Sequence, residues 1–267
     1  MLLDKKHTAL VLADIQNEFI TETGTYYPMI ADRLKELNVL DHIEELLQCA
    51  QEKDFFVSHS PYYYFPTDRQ WVAQGGAIAD YLGKLPNGFV DRKDPVDLEG
   101  SHGSGVDYPE RLKKYLMDGK TANTSPHKGL SCLSNDLIKQ LRMRRVEKVN
   151  MAGLVGNLCL ENHMRDLIEA GFTFAMVRDA IAAGRNEEGD AYQAAMVNYR
   201  FMANAVWTTE NTVKRMKAVA AKEEKYTGED NILKNGEVRE QCVLRVLDKQ
   251  ICYSEFRSAI ASSVTSL

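Results

Sequence analysis

Short apolar runs alternate along this chain with longer stretches of helical periodicity. Residues 8–13, Thr-Ala-Leu-Val-Leu-Ala, form one continuous apolar run that stops at Asp14, as a strand buried on both faces would. Leu34, Leu37, Ile43, Leu46 and Leu47 recur at helical spacing and predict a helix over 32–52. A second strand is expected over 54–58. The stretch 60–120 is irregular and rich in Tyr, Gly, Pro and Asp, with short helices expected near 74–84 and 109–116. A loop region of that length inside a compact fold is commonly functional.

Beyond it the alternation resumes. The pattern predicts a short strand at 120–124, a helix over 133–145, a strand over 146–152 and a helix over 159–170 stopped by Gly171. A strand at 172–177, a helix over 187–200, a strand at 203–207 and a charged helix over 209–224 complete the series. Strand and helix in strict alternation specify an α/β fold: a mainly parallel central sheet covered on both faces, a three-layer sandwich. The pattern breaks after Lys225, at Tyr226-Thr-Gly-Glu-Asp-Asn231. A domain over 1–225 and a C-terminal extension over 226–267 are therefore expected. The extension is given a short element around 238–247 and a helix near 253–262.

Composition narrows the class. The chain has 267 residues, 44% of them hydrophobic, and a net charge of −5. It is long enough to bury a core without disulfides or a structural metal. No basic stripe is present, so no nucleic-acid partner is expected. No apolar run is long enough to cross a bilayer, and no leader precedes the first strand pattern. The five cysteines, Cys49, Cys132, Cys159, Cys242 and Cys252, are scattered and form no C-x-x-C pair. Such usage fits a reducing, cytoplasmic setting.

In parallel sheets the working residues lie beyond the C-terminal strand ends, and three polar residues fall there. Cys159 follows the strand–turn sequence Gly153-Leu-Val-Gly-Asn-Leu158 and opens a helix. A helix N-terminus favours thiolate, and the free N–H groups of such a turn can hold an oxyanion. Asp14, at the end of the first strand, can act as a general base. Lys128, in the loop after the 120–124 strand, can pair with Asp14 and lower the thiol's pKa. Each also has a plain structural reading: a buried cysteine, a turn aspartate, a solvated lysine. His59, at a strand end, Tyr62 and Trp71 in the aromatic cluster that follows, and Gln16 and Phe19 after Asp14 are candidate substrate contacts. His102 and His127 stand isolated in the sequence. Gly100-Ser-His-Gly-Ser-Gly105 lacks the dinucleotide fingerprint.

Taken together, these stretches resemble the isochorismatase-like cysteine hydrolase superfamily. The resemblance rests on Asp14-Ile-Gln16-Asn-Glu-Phe19, on Lys128-Gly-Leu-Ser131-Cys-Leu133, on Gly153 through Cys159-Leu160, on Asp179-Ala180 and on Ala194-Ala195 to Asn198. It spans about residues 7–216 and leaves out the tail. It implies a Rossmann-like fold, an Asp14–Lys128–Cys159 triad and hydrolysis of a C–N bond (amide, ureido or carbamoyl) in a small molecule through an acyl-enzyme. It also implies a cis peptide at Leu154–Val155, an oxyanion hole made by the amides of Val155 and Cys159, and a homodimer or homotetramer. The Asp-x-His metal motif of the nicotinamide-hydrolysing branch is not matched at Ser58-His59-Ser60, so no metal and no cofactor are expected. An isochorismatase-type ether hydrolase and a non-catalytic binding protein that keeps the fold are the alternatives.

Overall fold

The computed structural model describes residues 1–72, 76 and 100–229. The helix expected near 74–84 falls, residue 76 apart, outside them, as do the elements expected around 238–247 and 253–262. The chain divides into a unit Met1–Ala220, which carries the sheet, and a unit Ala221–Leu267. In the second unit only the end of the last helix, Thr209–Glu229, is described.

Eight strands are present among the described residues. They are β1 Thr8–Ala13, β2 Phe56–Ser60, β3 Ala122–Asn123, β4 Lys148–Gly153, β5 Thr173–Ile181, β6 Arg185–Asn186, β7 Gly189–Asp190 and β8 Ala205–Trp207. Six of them form one sheet in the order β3-β2-β1-β4-β5-β8, and every neighbouring pair is parallel. The α/β architecture with helices flanking a parallel sheet is thus the one the alternation predicts. All six residues of β1 are buried, which is why its sequence is an unbroken apolar run rather than an alternating one.

The strand order places the site. From β1 the chain moves outward through β2 and β3, then returns to the other side of β1 with β4. The crevice between the C-terminal ends of β1 and β4 is therefore the point where the winding reverses, the usual ligand position in open parallel sheets. Ala13 is level with both Ser60 and Gly153. The residues that follow these three, Asp14, Pro61 and Leu154, leave the sheet at one edge.

Several elements differ from their expected bounds, each for a local reason. The helix predicted over 32–52 is two helices, Tyr27–Glu36 and Val39–Glu52, broken where Asn38 adopts a left-handed conformation with φ 48°. Asparagine tolerates that region better than most residues. The helix predicted from 187 starts at Ala191, because residues 185–190 form a small antiparallel pair. The Asp190 side chain then caps the helix, accepting from the amides of Tyr192 and Gln193. The helix predicted over 133–145 is shortened to Leu137–Met143, preceded by a single tight turn at Cys132–Ser134. The last helix runs on past 224 to Glu229.

Gly153 is required where it stands. Its φ is 120°, and a Cβ there would lie 2.2 Å from the Ala13 carbonyl oxygen. Only glycine lets β4 pass so close to β1 as the chain turns toward Cys159.

Candidate active site

Asp14 leaves β1 with a φ of 54°, and its amide donates to the Ser60 carbonyl. This turn drives the carboxylate into the crevice, where it is fully buried. One oxygen, Oδ1, lies 2.7 Å from Nε2 of His127. The other, Oδ2, has no hydrogen-bond partner. His127 is equally buried, and its Nδ1 sits 2.7 Å from the Gly129 carbonyl oxygen. A carbonyl only accepts, so Nδ1 carries a proton. A proton must also lie in the contact between Nε2 and Oδ1, because neither a bare ring nitrogen nor a bare carboxylate oxygen donates.

Cys159 enters from the opposite wall of the crevice. After β4 the peptide Leu154–Val155 is cis, and the chain winds a wide turn over Gly156–Leu160 before the regular helix Glu161–Glu169 begins. The turn holds Cys159 buried against Asp14. The backbone N–H groups of Val155 and Cys159 both act on the sulfur and favour its thiolate. Burial and the Asp14 carboxylate act the other way and dominate, raising the thiol's pKa well above its ordinary value. The tendency of a helix start toward thiolate is outweighed here by burial and by the carboxylate. The sulfur thus has a carboxylate beside it and two backbone N–H groups acting on it.

Lys128 is not brought to Asp14. Its ammonium pairs with Asp68 and lies over the Phe65 ring, 3.9 Å from its centroid. The side chain in contact with Asp14 is that of His127. The reason is the parity of an extended segment. His127 forms a parallel bridge with Tyr62, and its amide donates to the Pro61 carbonyl. Successive side chains of an extended segment point to opposite sides. With 127 facing the crevice, 128 faces away.

The remaining candidates fall into two groups. The Gln16 amide nitrogen donates to the Tyr62 carbonyl and its oxygen accepts from the Tyr62 amide. Both ends of the amide are engaged, and the side chain is buried. Phe19 is core, stacked on Tyr26 at 4.7 Å. Tyr62 is also buried and backs the site, its ring 5.3 Å from that of His127. Trp71 is 43% exposed and meets Tyr64 edge-on, a position from which it can reach an incoming molecule.

His59 is buried near the triad, and burial lowers its pKa to about 3, so it is neutral. Its Nδ1 lies 2.9 Å from the Tyr108 hydroxyl, which donates onward to Asn123. That chain puts the ring proton on Nδ1 and leaves Nε2 a buried acceptor without a partner.

One residue not among the candidates above also lies at the site. His163 is buried. Its Nε2 is 2.8 Å from Ser60 Oγ and its Nδ1 2.8 Å from the Cys159 carbonyl. Its ring meets that of His127 edge-on at 4.7 Å. Burial lowers its pKa to about 3. The signal was spacing: His163 is four residues after Cys159 on one helix, hence on the same face one turn along.

The arrangement can remove a proton from sulfur, stabilise an oxyanion and keep the base aligned, the parts of nucleophilic acyl transfer. The same side chains are also a metal-ligand set. Asp14, His127 and Cys159 each offer a ligand atom within 4.8 Å of the others. Among the described residues no helix is long and apolar enough to cross a membrane.

Comparison with known proteins gives the family and the fold. The sequence model of the isochorismatase domain matches residues 8–211. A cysteine hydrolase from Pseudomonas syringae pv. phaseolicola 1448A superposes with a TM-score of 0.64 at 20% identity, covering 82% of this chain and 96% of that one. Nicotinamidase from Bacillus subtilis gives 0.54 at 19% identity, covering 75% and 99%. N-carbamoylsarcosine amidase from Thermoplasma acidophilum gives 0.52 at 16%, covering 76% and 96%. These likenesses extend to the fold.

Proposed function

The chain belongs to the isochorismatase family, and from that premise we propose that it is a cysteine hydrolase cleaving a C–N bond in a small amide, ureide or carbamoyl compound. Cys159 is the nucleophile, Asp14 the base and His127 the group that holds Asp14 in place. The observation that carries this reading is the surroundings of one sulfur. The Asp14 carboxylate lies beside it, and two backbone N–H groups act on it.

The steps follow from those positions. As sulfur adds to the carbonyl carbon, the thiol proton passes to Asp14. The carbonyl oxygen takes up the electron pair and is held by the amides of Val155 and Cys159. A donor of this kind is worth about 3 kcal/mol in the transition state. Collapse breaks the C–N bond, and the nitrogen departs with the proton from Asp14. Water then loses a proton to Asp14 and adds to the acyl carbon. The C–S bond breaks, the acid leaves, and sulfur recovers the proton. His127 carries no net change through the cycle. Anchored on Gly129, it keeps Oδ1 engaged so that Oδ2 is the oxygen left for sulfur and water. A neutral His59 with a bare Nε2 suits a substrate N–H, and Trp71 suits a flat or apolar substituent.

The test is a screen of amides, ureides and carbamoyl compounds, with mass spectrometry of the intact protein during turnover. A substrate acyl group should accumulate on Cys159, and Cys159→Ala should abolish turnover while remaining folded. Turnover by Cys159→Ala would refute the acyl-enzyme and favour an ether-hydrolase or non-covalent mechanism.

A further inference from the structure

The Asp14–His127–Cys159 cluster has a property that a lysine in place of His127 would deny it: all three side chains are metal ligands. Lysine offers an ammonium, which repels a cation. Imidazole offers a lone pair. We infer that the cluster binds Zn²⁺, with Asp14, His127 and Cys159 as ligands and the fourth position open, and that the bound ion blocks the hydrolytic reaction.

The donor set fits this ion. Zn²⁺ takes mixed N, O and S ligands in a tetrahedral shell, and three protein ligands with one open position is a common form of it. Bond lengths of about 2.0–2.3 Å imply ligand atoms about 3.3–3.7 Å apart. The three here lie within 4.8 Å of one another, and the Asp14–His127 pair is already at 2.7 Å. Movements of around 1 Å, within reach of side-chain rotation, close the shell. A hard cation such as Mg²⁺ would reject the sulfur.

The surroundings also match what metal ligands need. A ligating histidine usually donates its other ring N–H to a carbonyl or carboxylate, which fixes the ring and its tautomer. His127 does so to Gly129. The thiolate a metal requires would be supported by the Val155 and Cys159 amides. Asp14 Oδ2 is buried with no hydrogen-bond partner of ordinary geometry and only the Cys159 thiol beside the carboxylate, so it can turn to a cation. Binding would displace the proton held between Asp14 and His127 and the proton of the thiol. It would also occupy the nucleophile and the base together, so metal binding and acyl transfer exclude each other.

The experiment uses Co²⁺ as a spectroscopic stand-in and needs no substrate, so its outcome is independent of the hydrolase reading. Titration of the full chain with Co²⁺ should give one equivalent of a tetrahedral visible spectrum with a thiolate-to-metal charge-transfer band. Zn²⁺ should erase both. Cys159→Ser should lose the charge-transfer band while the other cysteines remain. His127→Gln should weaken binding by more than about 100-fold, since loss of even an outer-layer partner typically costs 10–100-fold. In the unaltered protein, Zn²⁺ should slow alkylation of Cys159 by iodoacetamide at least tenfold and leave Cys49 and Cys132 unchanged, a readout that requires no variant to fold. A charge-transfer band that survives Cys159→Ser, or unchanged alkylation of Cys159 at saturating Zn²⁺, would overturn the assignment.

Discussion

Replacing His127 by Phe separates the cluster in the structure from the triad expected from the sequence. Phenylalanine preserves a ring beside Tyr62 and His163 and removes both ring nitrogens. Asp14 then loses its 2.7 Å partner in a place where neither side chain reaches solvent. Removing one member of a buried charged pair costs about 3–5 kcal/mol. For a unit the size of Met1–Ala220, each kcal/mol lowers Tm by about 2–4 °C, so a fall of roughly 6–20 °C is expected. Catalysis should suffer more than KM. With Asp14 no longer held, kcat should drop about 10²–10³-fold, the effect of losing one preorganised electrostatic contact. Lys128→Met is the companion variant. It breaks a largely buried pair with Asp68, the two side chains 18% and 12% exposed, a case between the exposed and the fully buried pair for which about 1–3 kcal/mol is expected. Activity should fall far less than in His127→Phe, because no proposed step uses the Lys128 ammonium. Thermal unfolding and the rate of Cys159 alkylation, followed by mass spectrometry, read both variants before any substrate is known. An inert, stable Lys128→Met beside a fully reactive His127→Phe would refute the assignment of His127 and restore the lysine to the triad.

Stability should fall with acid because His59 and His163 are buried neutral. Their folded pKa of about 3 lies below the ordinary 6.5. Their contribution is therefore complete above pH 6.5 and is lost as pH falls toward 3. At pH 5 the loss is about 2 kcal/mol for each. Denaturant unfolding from pH 7.5 to 4 should show this slope, and His163→Asn should flatten it by one proton; equal slopes would contradict the burial argument. Gly153→Ala should destabilise the fold by about 2–5 kcal/mol, combining backbone strain with overpacking against Ala13, measurable by the shift in denaturation midpoint. Hydrolysis should survive exhaustive chelation, because no step proposed for it uses a metal; loss of turnover on chelation, restored by Zn²⁺, would mean that the ion serves the reaction instead of blocking it.

Much of this molecule was legible in one dimension because the forces concerned are local. The apolar run of β1, the glycine closing β4 and the strand–helix alternation led to a parallel sheet, since hydrophobic periodicity reports which faces are buried. The same reading put Asp14 and Cys159 at strand ends, where parallel sheets hold their working residues, and the motifs around them carried the family. Other features needed a partner distant in sequence. Whether His127 or Lys128 enters the crevice is a matter of parity, and parity is set by the bridge to Tyr62, 65 positions away. Slipping that bridge by one residue would exchange the two side chains. That Gln16 braces the Tyr62 backbone with both ends of its amide is likewise a contact across 46 positions that no local pattern announces. The state of the Cys159 sulfur also lay beyond sequence. A helix start by itself argues for thiolate, but the depth of burial and the closeness of Asp14 argue for thiol, and both exist only once β1 and β4 lie side by side.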